Sequence, residues 1–179
     1  MHQYYAPRGP HFVGDCVPLW HDGVFHLYWL LDEGHHSARG GLGLHQWVHN
    51  SSRDRVHWED RPLALLIAHD WEGSNCTGSV SHHGGVLPAL YATRYPDCTQ
   101  RLCAASSPDG VHFTKSSDNP LMSPPPGYDP PHFRDPMCFQ DPATACFPSA
   151  RTVRWSCAAW RYGPWRRPRR GHRRRRGHD

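Results

Sequence analysis

Short segments of apolar, aromatic and β-branched residues alternate along this chain with turn signals, which predicts an all-β protein. The turns contain Asp-Gly and Gly-Gly pairs, which supply the positive φ angles that tight hairpins need. No amphipathic helical period extends beyond two turns. Pro88 predicts an edge strand or a bulge, because proline has no N–H to donate to a sheet. The predicted strands are residues 24–31, 42–48, 77–82, 86–94, 100–107 and 111–115.

A weak internal repeat narrows the fold class. "HDGVFHLYWLL" (21–31) and "HGGVLPALYAT" (83–93) share a turn, a Val and an apolar strand. "SSRDRVHWE" (51–59) and "SSPDGVHFTK" (106–115) share Ser-Ser, an Asp and Val-His-aromatic. A sandwich would show similar turns, but the repeat favours a β-propeller with four-stranded blades. Two blades and the start of a third fit into residues 12–147.

Charge divides the chain into two regions, which we predict to be a body at 1–147 and an Arg-rich tail at 148–179. Residues 1–150 carry eight Arg and one Lys against fifteen Asp and Glu, whereas residues 151–179 carry eleven Arg against one Asp. The tail also lacks strand and turn alternation. Two explanations fit it: GC-rich DNA translated out of frame, or a basic arm that binds nucleic acid or anionic surfaces.

The seven cysteines and the N-terminal sequence indicate a cytoplasmic protein. The start shows no secretory signal, and an odd number of cysteines without one is typical of reduced thiols. The longest apolar run, residues 63–68, is too short to span a membrane. Cys98 and Cys103 have no second ligand pair at metal-binding spacing, so we expect buried free thiols, no metal and no cofactor.

Four motifs in order resemble glycoside hydrolase family 32, the invertase, levanase and fructanase group. They are "GDCVPLWHDGVFHLYWL" (14–30), "LHQWVHNSSRDRVHWEDRPLAL" (44–65), "NCTGSV" (75–80) and "FRDPMCF" (133–139). The resemblance implies the N-terminal portion of a five-bladed β-propeller, partial here at about two to three blades, with carbohydrate as the partner. The first motif departs from the Asn-Asp-Pro-Asn-Gly of typical members, so a related propeller glycosidase of family 43, 68 or 130 is the alternative.

The resemblance also implies a retaining double displacement on a β-fructoside such as sucrose or a fructan. It assigns Asp15 as the nucleophile and Asp135 as the transition-state stabiliser. Arg134, Trp47 and Thr77 match substrate-binding positions. The same reading expects Arg134 to keep Asp135 ionised through a charge-assisted pair. We expect the carboxyl groups of Asp15 and Asp135 on one concave side, on the innermost strands of successive blades.

The second carboxyl group that such a mechanism requires is not matched. The family's general acid is a Glu well downstream of Arg-Asp-Pro, but the glutamates here are Glu33, Glu59 and Glu72, all upstream. We therefore predict that this chain by itself is an inactive or poorly active fragment of a glycosidase. The competing hypothesis is a non-catalytic protein that acts through its Arg-rich tail.

Overall fold

A computed structural model describes residues 5, 7, 13–32 and 44–138 of the chain, and these residues form an all-β structure. Eight strands make two four-stranded antiparallel sheets, in the orders β1-β2-β3-β4 and β5-β6-β7-β8. A 3₁₀ turn at Pro130–His132 follows the second sheet. None of the described helical segments is long and apolar enough to cross a membrane. The strands are β1 Val13–His21, β2 Val24–Asp32, β3 His45–Ser52, β4 Glu59–Leu65, β5 Ser74–Val80, β6 Leu87–Arg94, β7 Gln100–Ser107 and β8 Thr114–Lys115.

Each sheet begins with a hairpin whose two turn residues have positive φ. Asp22 and Gly23 connect β1 to β2 with φ of 48° and 75°. Gly84 and Gly85 connect β5 to β6 with φ of 54° and 82°. Two successive positive φ angles match the right-handed twist of the flanking strands, which is why Asp-Gly and Gly-Gly occur here. The first half of the sequence repeat is therefore a repeated hairpin.

The second half of the repeat is a turn that leads into the outermost strand of each sheet. The Asp54 carboxylate accepts hydrogen bonds from backbone N–H groups two and three residues ahead, at 2.9 and 2.8 Å. Asp109 does the same at 2.8 and 2.9 Å. The residues that follow, Arg55 and Gly110, have φ of 63° and 75°. Each sheet is therefore one blade built from the same turns.

The main core lies between the two sheets, where β5 packs against β1 and β3. Tyr28 of the first sheet donates a 2.6 Å hydrogen bond to the carbonyl oxygen of Gly110 in the second. The Trp47 and Tyr91 rings meet edge to face, with centroids 6.1 Å apart. A smaller cluster of Ala92, Leu102 and Phe133 covers the far side of the second sheet. The two blades therefore form one packed unit.

Several strand predictions need correction. Residues 100–107 were predicted with the observed bounds, but β3 ends at Ser52 rather than at residue 48. Neither β1 nor β4 was among the predicted strands. In β4, five of the seven residues are exposed and Pro62 interrupts the apolar pattern. β6 is an inner strand despite Pro88, which was predicted to mark an edge or a bulge. The Pro88 carbonyl accepts from the Ser81 N–H just beyond the end of β5, so only a terminal ladder bond is lost.

The boundary predicted at residues 147 and 148 and the Arg-rich tail lie outside the described residues. Five cysteines fall within the described part, and all are free thiols. Cys103 is buried as expected, but Cys16 is exposed.

Candidate functional site

Asp15 lies on a β-bulge near the start of β1, which is an edge strand of the first sheet. Gly14 pairs with Leu30 and Cys16 pairs with Trp29, so Asp15 has no residue opposite it. A bulge turns one side chain away from the regular alternation of the strand. Asp15 is exposed, although its neighbour two residues on, Val17, is in the core. Its carboxylate is therefore presented outside the sheet by the backbone itself.

Thr77 lies on an equivalent bulge in β5. Asn75 pairs with Thr93 and Gly78 with Tyr91, so two residues of β5 lie opposite one of β6. Gly78 is required here, because a Cβ at this position would lie 2.1 Å from the Leu90 carbonyl oxygen. The Thr77 hydroxyl donates a 2.5 Å hydrogen bond to Oδ2 of Asp15. The two bulges thus bring a hydroxyl and a carboxylate from different sheets into contact.

The Arg-Asp-Pro segment runs beside β5 and is fixed there by Ser79. The Ser79 hydroxyl donates to the carbonyl oxygen of Pro136 at 3.1 Å and accepts from the Cys138 N–H at 2.6 Å. Pro136 is fully buried. Asp135 has a φ of 58° and lies in no strand of the described chain, so its expected place on an innermost strand is wrong. Its position depends on this anchor rather than on sheet pairing.

Asp15 and Asp135 lie within electrostatic range of each other. Burial raises the pKa of Asp135, the Arg134 charge lowers it, and the negative charge of Asp15 raises it further. The net pKa is above the ordinary value for Asp. A carboxyl group beside a second carboxylate is harder to ionise, which accounts for the last contribution. The two carboxyl groups therefore interact electrostatically.

Arg134 and Asp135 are less tightly paired than expected. The Arg134 Nε lies 3.7 Å from Asp135 Oδ2, which is longer than a hydrogen bond. The two side chains are 45% and 48% exposed, so each is available to a ligand. The Arg134 charge lowers the pKa of Asp135, in the expected direction, but burial and the Asp15 charge raise it by more.

Trp47 lies in the core, which corrects its predicted role in substrate binding. Its side chain is 1% exposed, and its Nε1 donates a 2.9 Å hydrogen bond to the carbonyl oxygen of Cys76. A ring buried between two sheets has no free face for a sugar. Its contact with Cys76 instead supports the β5 bulge that carries Thr77.

Neither glutamate in the described residues reaches the site. Glu59 is paired with Arg61 on the outer strand β4. Glu72 is completely buried and paired with Lys115. Glu33, the third, lies outside the described residues. Within the described ranges, no group of three or more His, Cys, Asp or Glu side chains could hold a metal ion.

Sequence reasoning missed the two bulges, the steric need for Gly78 and the anchoring role of Ser79. The only signal for them was the Thr-Gly-Ser run at residues 77–79, which was read as a motif and not as geometry. A small residue between two hydroxyl side chains fits a strand whose backbone approaches a neighbour closely.

Most of the body is similar to known proteins. The family model "Glycosyl hydrolases family 32 N-terminal domain" matches residues 16–148, beginning one residue after Asp15. Sucrose-6-phosphate hydrolase of Escherichia coli is 29% identical over 118 residues, which cover 61% of this chain and 24% of that protein. The crystal structure of fructan 1-exohydrolase IIa from Cichorium intybus has a TM-score of 0.63 at 25% identity, covering 74% of this chain and 26% of that one.

The exo-inulinase from Aspergillus awamori is similar as well, with a TM-score of 0.60 at 28% identity over 76% of this chain and 32% of that one. These structures are five-bladed propeller enzymes, which confirms the two sheets as part of such a propeller. The chain spans about a quarter of the length of the first relatives it matches. With the family model matched over most of the chain, this protein belongs to glycosyl hydrolase family 32.

Proposed function

We propose that this chain is the N-terminal part of a glycosidase that acts on β-fructosides, such as sucrose or fructans, by a retaining double displacement. Asp15 is the nucleophile, and Asp135 stabilises the transition state. The names of the similar proteins support the substrate class, because they include a sucrose-6-phosphate hydrolase, a fructan exohydrolase and an exo-inulinase. The cited relatives differ in whether the sugar is phosphorylated or polymeric, so the proposal stops at the fructosyl unit.

The contact between Asp15 and Thr77 carries this proposal. An attacking carboxylate must be accessible and held in one orientation. The bulge exposes Asp15, and the 2.5 Å bond from Thr77 holds one of its oxygens, which leaves the other to attack. Thr77 was assigned to sugar binding, but this hydrogen bond supports a positioning role for it.

In the first step, the free oxygen of Asp15 forms a bond to the anomeric carbon while the bond from that carbon to the leaving oxygen breaks. The leaving oxygen takes a proton from a general acid. Water then cleaves the fructosyl ester and restores the Asp15 carboxylate. Asp135 can accept hydrogen bonds from ring hydroxyls that strengthen as the sugar flattens.

We propose that this chain by itself hydrolyses poorly those fructosides whose leaving oxygen must be protonated. The two described glutamates are engaged elsewhere, with Arg61 and Lys115. Positioned proton transfer contributes roughly 10²–10⁴-fold to such reactions. The step most affected is departure of the leaving oxygen, because that step requires the proton.

An activated substrate separates these two requirements. An aryl β-fructoside has a leaving group that departs without a proton, so the purified chain should form a fructosyl ester detectable by intact-protein mass spectrometry. The adduct should be absent in Asp15→Asn and unchanged in Asp22→Asn, a control in the exposed β1–β2 turn. Sucrose, by contrast, should be cleaved at least 100-fold more slowly than the aryl fructoside, because departure of its leaving oxygen requires a general acid. An adduct that persists in Asp15→Asn would refute the nucleophile assignment.

A further inference from the structure

One strand, β5, is hydrogen-bonded to both elements that carry the proposed catalytic carboxylates. Thr77 of β5 bonds to Asp15 of β1 at 2.5 Å. Two residues further along β5, Ser79 bonds to the backbone of the Arg-Asp-Pro segment, residues 133–138. The positions of the two carboxylates are therefore tied to the same short stretch of β5.

The Ser79 hydroxyl bonds to the segment both as a donor and as an acceptor. It donates a hydrogen bond to the Pro136 carbonyl oxygen at 3.1 Å and accepts one from the Cys138 N–H at 2.6 Å. A serine hydroxyl has one proton to donate and lone pairs to accept, so it can satisfy both backbone groups at once. One side chain thus supplies the two backbone bonds that a paired strand would otherwise provide.

The segment is also held by buried apolar residues on each side of Asp135. Phe133 is 3% exposed and packs against Ala92 and Leu102 of the second sheet, and Pro136 is fully buried. Asp135 lies between them with a φ of 58°, a left-handed conformation that is unfavourable for a residue with a Cβ. Such a conformation persists only where the surrounding contacts hold it. The carboxylate of Asp135 therefore depends on these contacts for its place.

The ionisation of Asp135 depends on where the segment lies. Burial and the negative charge of Asp15 raise the pKa of Asp135, and the Arg134 charge lowers it. The first two effects require the segment to stay beside the second sheet. Arg134 directly precedes Asp135 in the chain, so its effect should persist if the segment moves. A displaced segment should therefore lower the pKa of Asp135 towards its ordinary value of 3.8.

We propose that Ser79 is a positioning residue for Asp135. Its hydroxyl holds the Arg-Asp-Pro segment against β5, and β5 holds Asp15 through Thr77. One strand thus sets where the stabilising carboxylate lies relative to the nucleophile. Ser79 acts through the backbone of the segment rather than through contact with the sugar. This inference rests on the proposed function, because the roles of the two carboxylates come from it.

Carbon-13 NMR titration of the Asp135 carboxyl in the full 179-residue chain tests this position directly. In the unsubstituted chain the carboxyl should titrate above 3.8, and Asp135→Asn identifies its signal. Ser79→Ala should lower the pKa of Asp135, because it removes both hydrogen bonds to the segment. Ser79→Thr, which keeps a hydroxyl, should leave this pKa unchanged. So should Ser81→Ala, a matched control two residues further along the chain.

The rate of fructosyl-ester formation from an aryl β-fructoside measures the effect on the chemistry. Ser79→Ala should lower the maximal rate about tenfold, since a misplacement of about 1 Å can cost up to roughly 10²-fold. The substrate concentration at half-maximal rate should change less, because hydrogen bonds to Asp135 strengthen in the transition state. Asp135→Asn should lower the rate as well, and Ser79→Ala added to it should cause no further loss.

The outcomes separate this inference from the proposed function. An Asp135 titration that Ser79→Ala leaves unchanged would overturn the inference. So would a tenfold loss of rate when Ser79→Ala is added to Asp135→Asn, because Ser79 would then act through another group. If the unsubstituted chain forms no ester, the proposed function fails, while the Asp135 titration still decides whether Ser79 positions the segment.

Circular dichroism of each variant checks that the chain is folded. If Ser79→Ala does not fold, Ser79→Val is compared with Ser79→Thr, since these two variants differ only in a methyl group and a hydroxyl. A lower Asp135 pKa and a slower ester formation in Ser79→Val than in Ser79→Thr would then support the inference, and equal values would overturn it.

Discussion

The first and second sheets follow one backbone plan and differ in what they do with it. Each has a hairpin with two positive φ residues, a bulge in its first strand, and an Asp-centred turn before its last strand. In the first sheet the bulge presents the carboxylate of Asp15; in the second it presents the hydroxyl of Thr77, which bonds to that carboxylate. A repeated backbone thus produces a site only because the side chains at equivalent positions differ.

The outer turns show the same divergence. Arg55 in the first sheet is exposed, whereas Gly110 in the second is buried against His26 and Tyr28 of the first. The turn that is local in one sheet is an inter-sheet contact in the other. The comparison teaches that the backbone geometry is set within each blade, and that its consequences are set by the neighbouring blade.

The largest effect is expected at the bulge glycine. Gly78→Ala should destabilise the chain by about 4 kcal/mol, because the new Cβ would lie 2.1 Å from a backbone oxygen that cannot move without breaking the β5–β6 hairpin. Gly14→Ala, beside the first bulge, is the matched control, since its Cβ would make ordinary contacts at 3.4 Å. Urea unfolding measures both. Equal losses would show that the two bulges do not differ in packing.

Acid should destabilise the chain through His49, a buried residue of β3. Burial, with the charges of His26 and Arg61, lowers the pKa of His49 to about 3, while Asp109 opposes the shift. The folded state therefore disfavours the proton that the unfolded chain takes up below its ordinary pKa of 6.5. Stability should be complete above pH 6.5 and fall as pH decreases towards 3, by about 2 kcal/mol at pH 5.

The geometry explains why this proton is disfavoured. His49 Nε2 and His26 Nδ1 share a 2.9 Å hydrogen bond, and His49 Nδ1 has no partner among the described residues. A protonated ring would place an N–H there with no acceptor. Urea unfolding between pH 7.5 and pH 5 tests this, and His49→Gln should flatten the slope. A slope unchanged in that variant would assign the acid sensitivity to other groups.

Both outer-turn positions have positive φ and should favour glycine. Replacing the glycine in one turn and introducing a glycine in the other should therefore change the free energy of unfolding in opposite directions. Gly110→Ala should cost about 1.5 kcal/mol, because its φ is 75° and its Cβ would lie 2.9 Å from the buried His26 ring. Arg55→Gly should stabilise the chain by about 0.5 kcal/mol, because a glycine relieves the positive φ of 63°. Thermal or urea unfolding of the two variants gives both signs. Destabilisation by Arg55→Gly would mean that its side chain makes a compensating contact.

The smallest stability effect is expected at Asp135. Its raised pKa means that ionising it in the folded state is unfavourable relative to the unfolded chain, so stability from this group is present at low pH and lost as pH rises through its folded pKa. Asp135→Asn should therefore leave the free energy of unfolding at pH 7 unchanged or slightly higher. The same substitution should reduce the affinity for sucrose. A marked loss of stability would indicate that Asp135 is structural.

Local sequence accounts for the strands that lie within one blade and for the turns between them. Residues 100–107 carry a continuous run of packed side chains, and their bounds were predicted correctly. β4 was missed because an outer strand buries only two of its seven residues and so leaves little apolar periodicity. Pro88 was misjudged because the cost of a proline depends on which backbone partner it faces, and a single strand does not show this.

The candidate site also combines features that local sequence determines with features that depend on tertiary contacts. The sequence by itself determined the residue types, the hairpins and the turn geometry, because Gly and Asp control φ and backbone hydrogen bonding over only a few residues. The resemblance to family 32 named Asp15, Asp135, Arg134 and Thr77. Only the tertiary structure decided that Asp15 and Thr77, 62 positions apart in the sequence, are in contact. It also placed Trp47 in the core, because burial depends on the facing sheet, which no local pattern specifies.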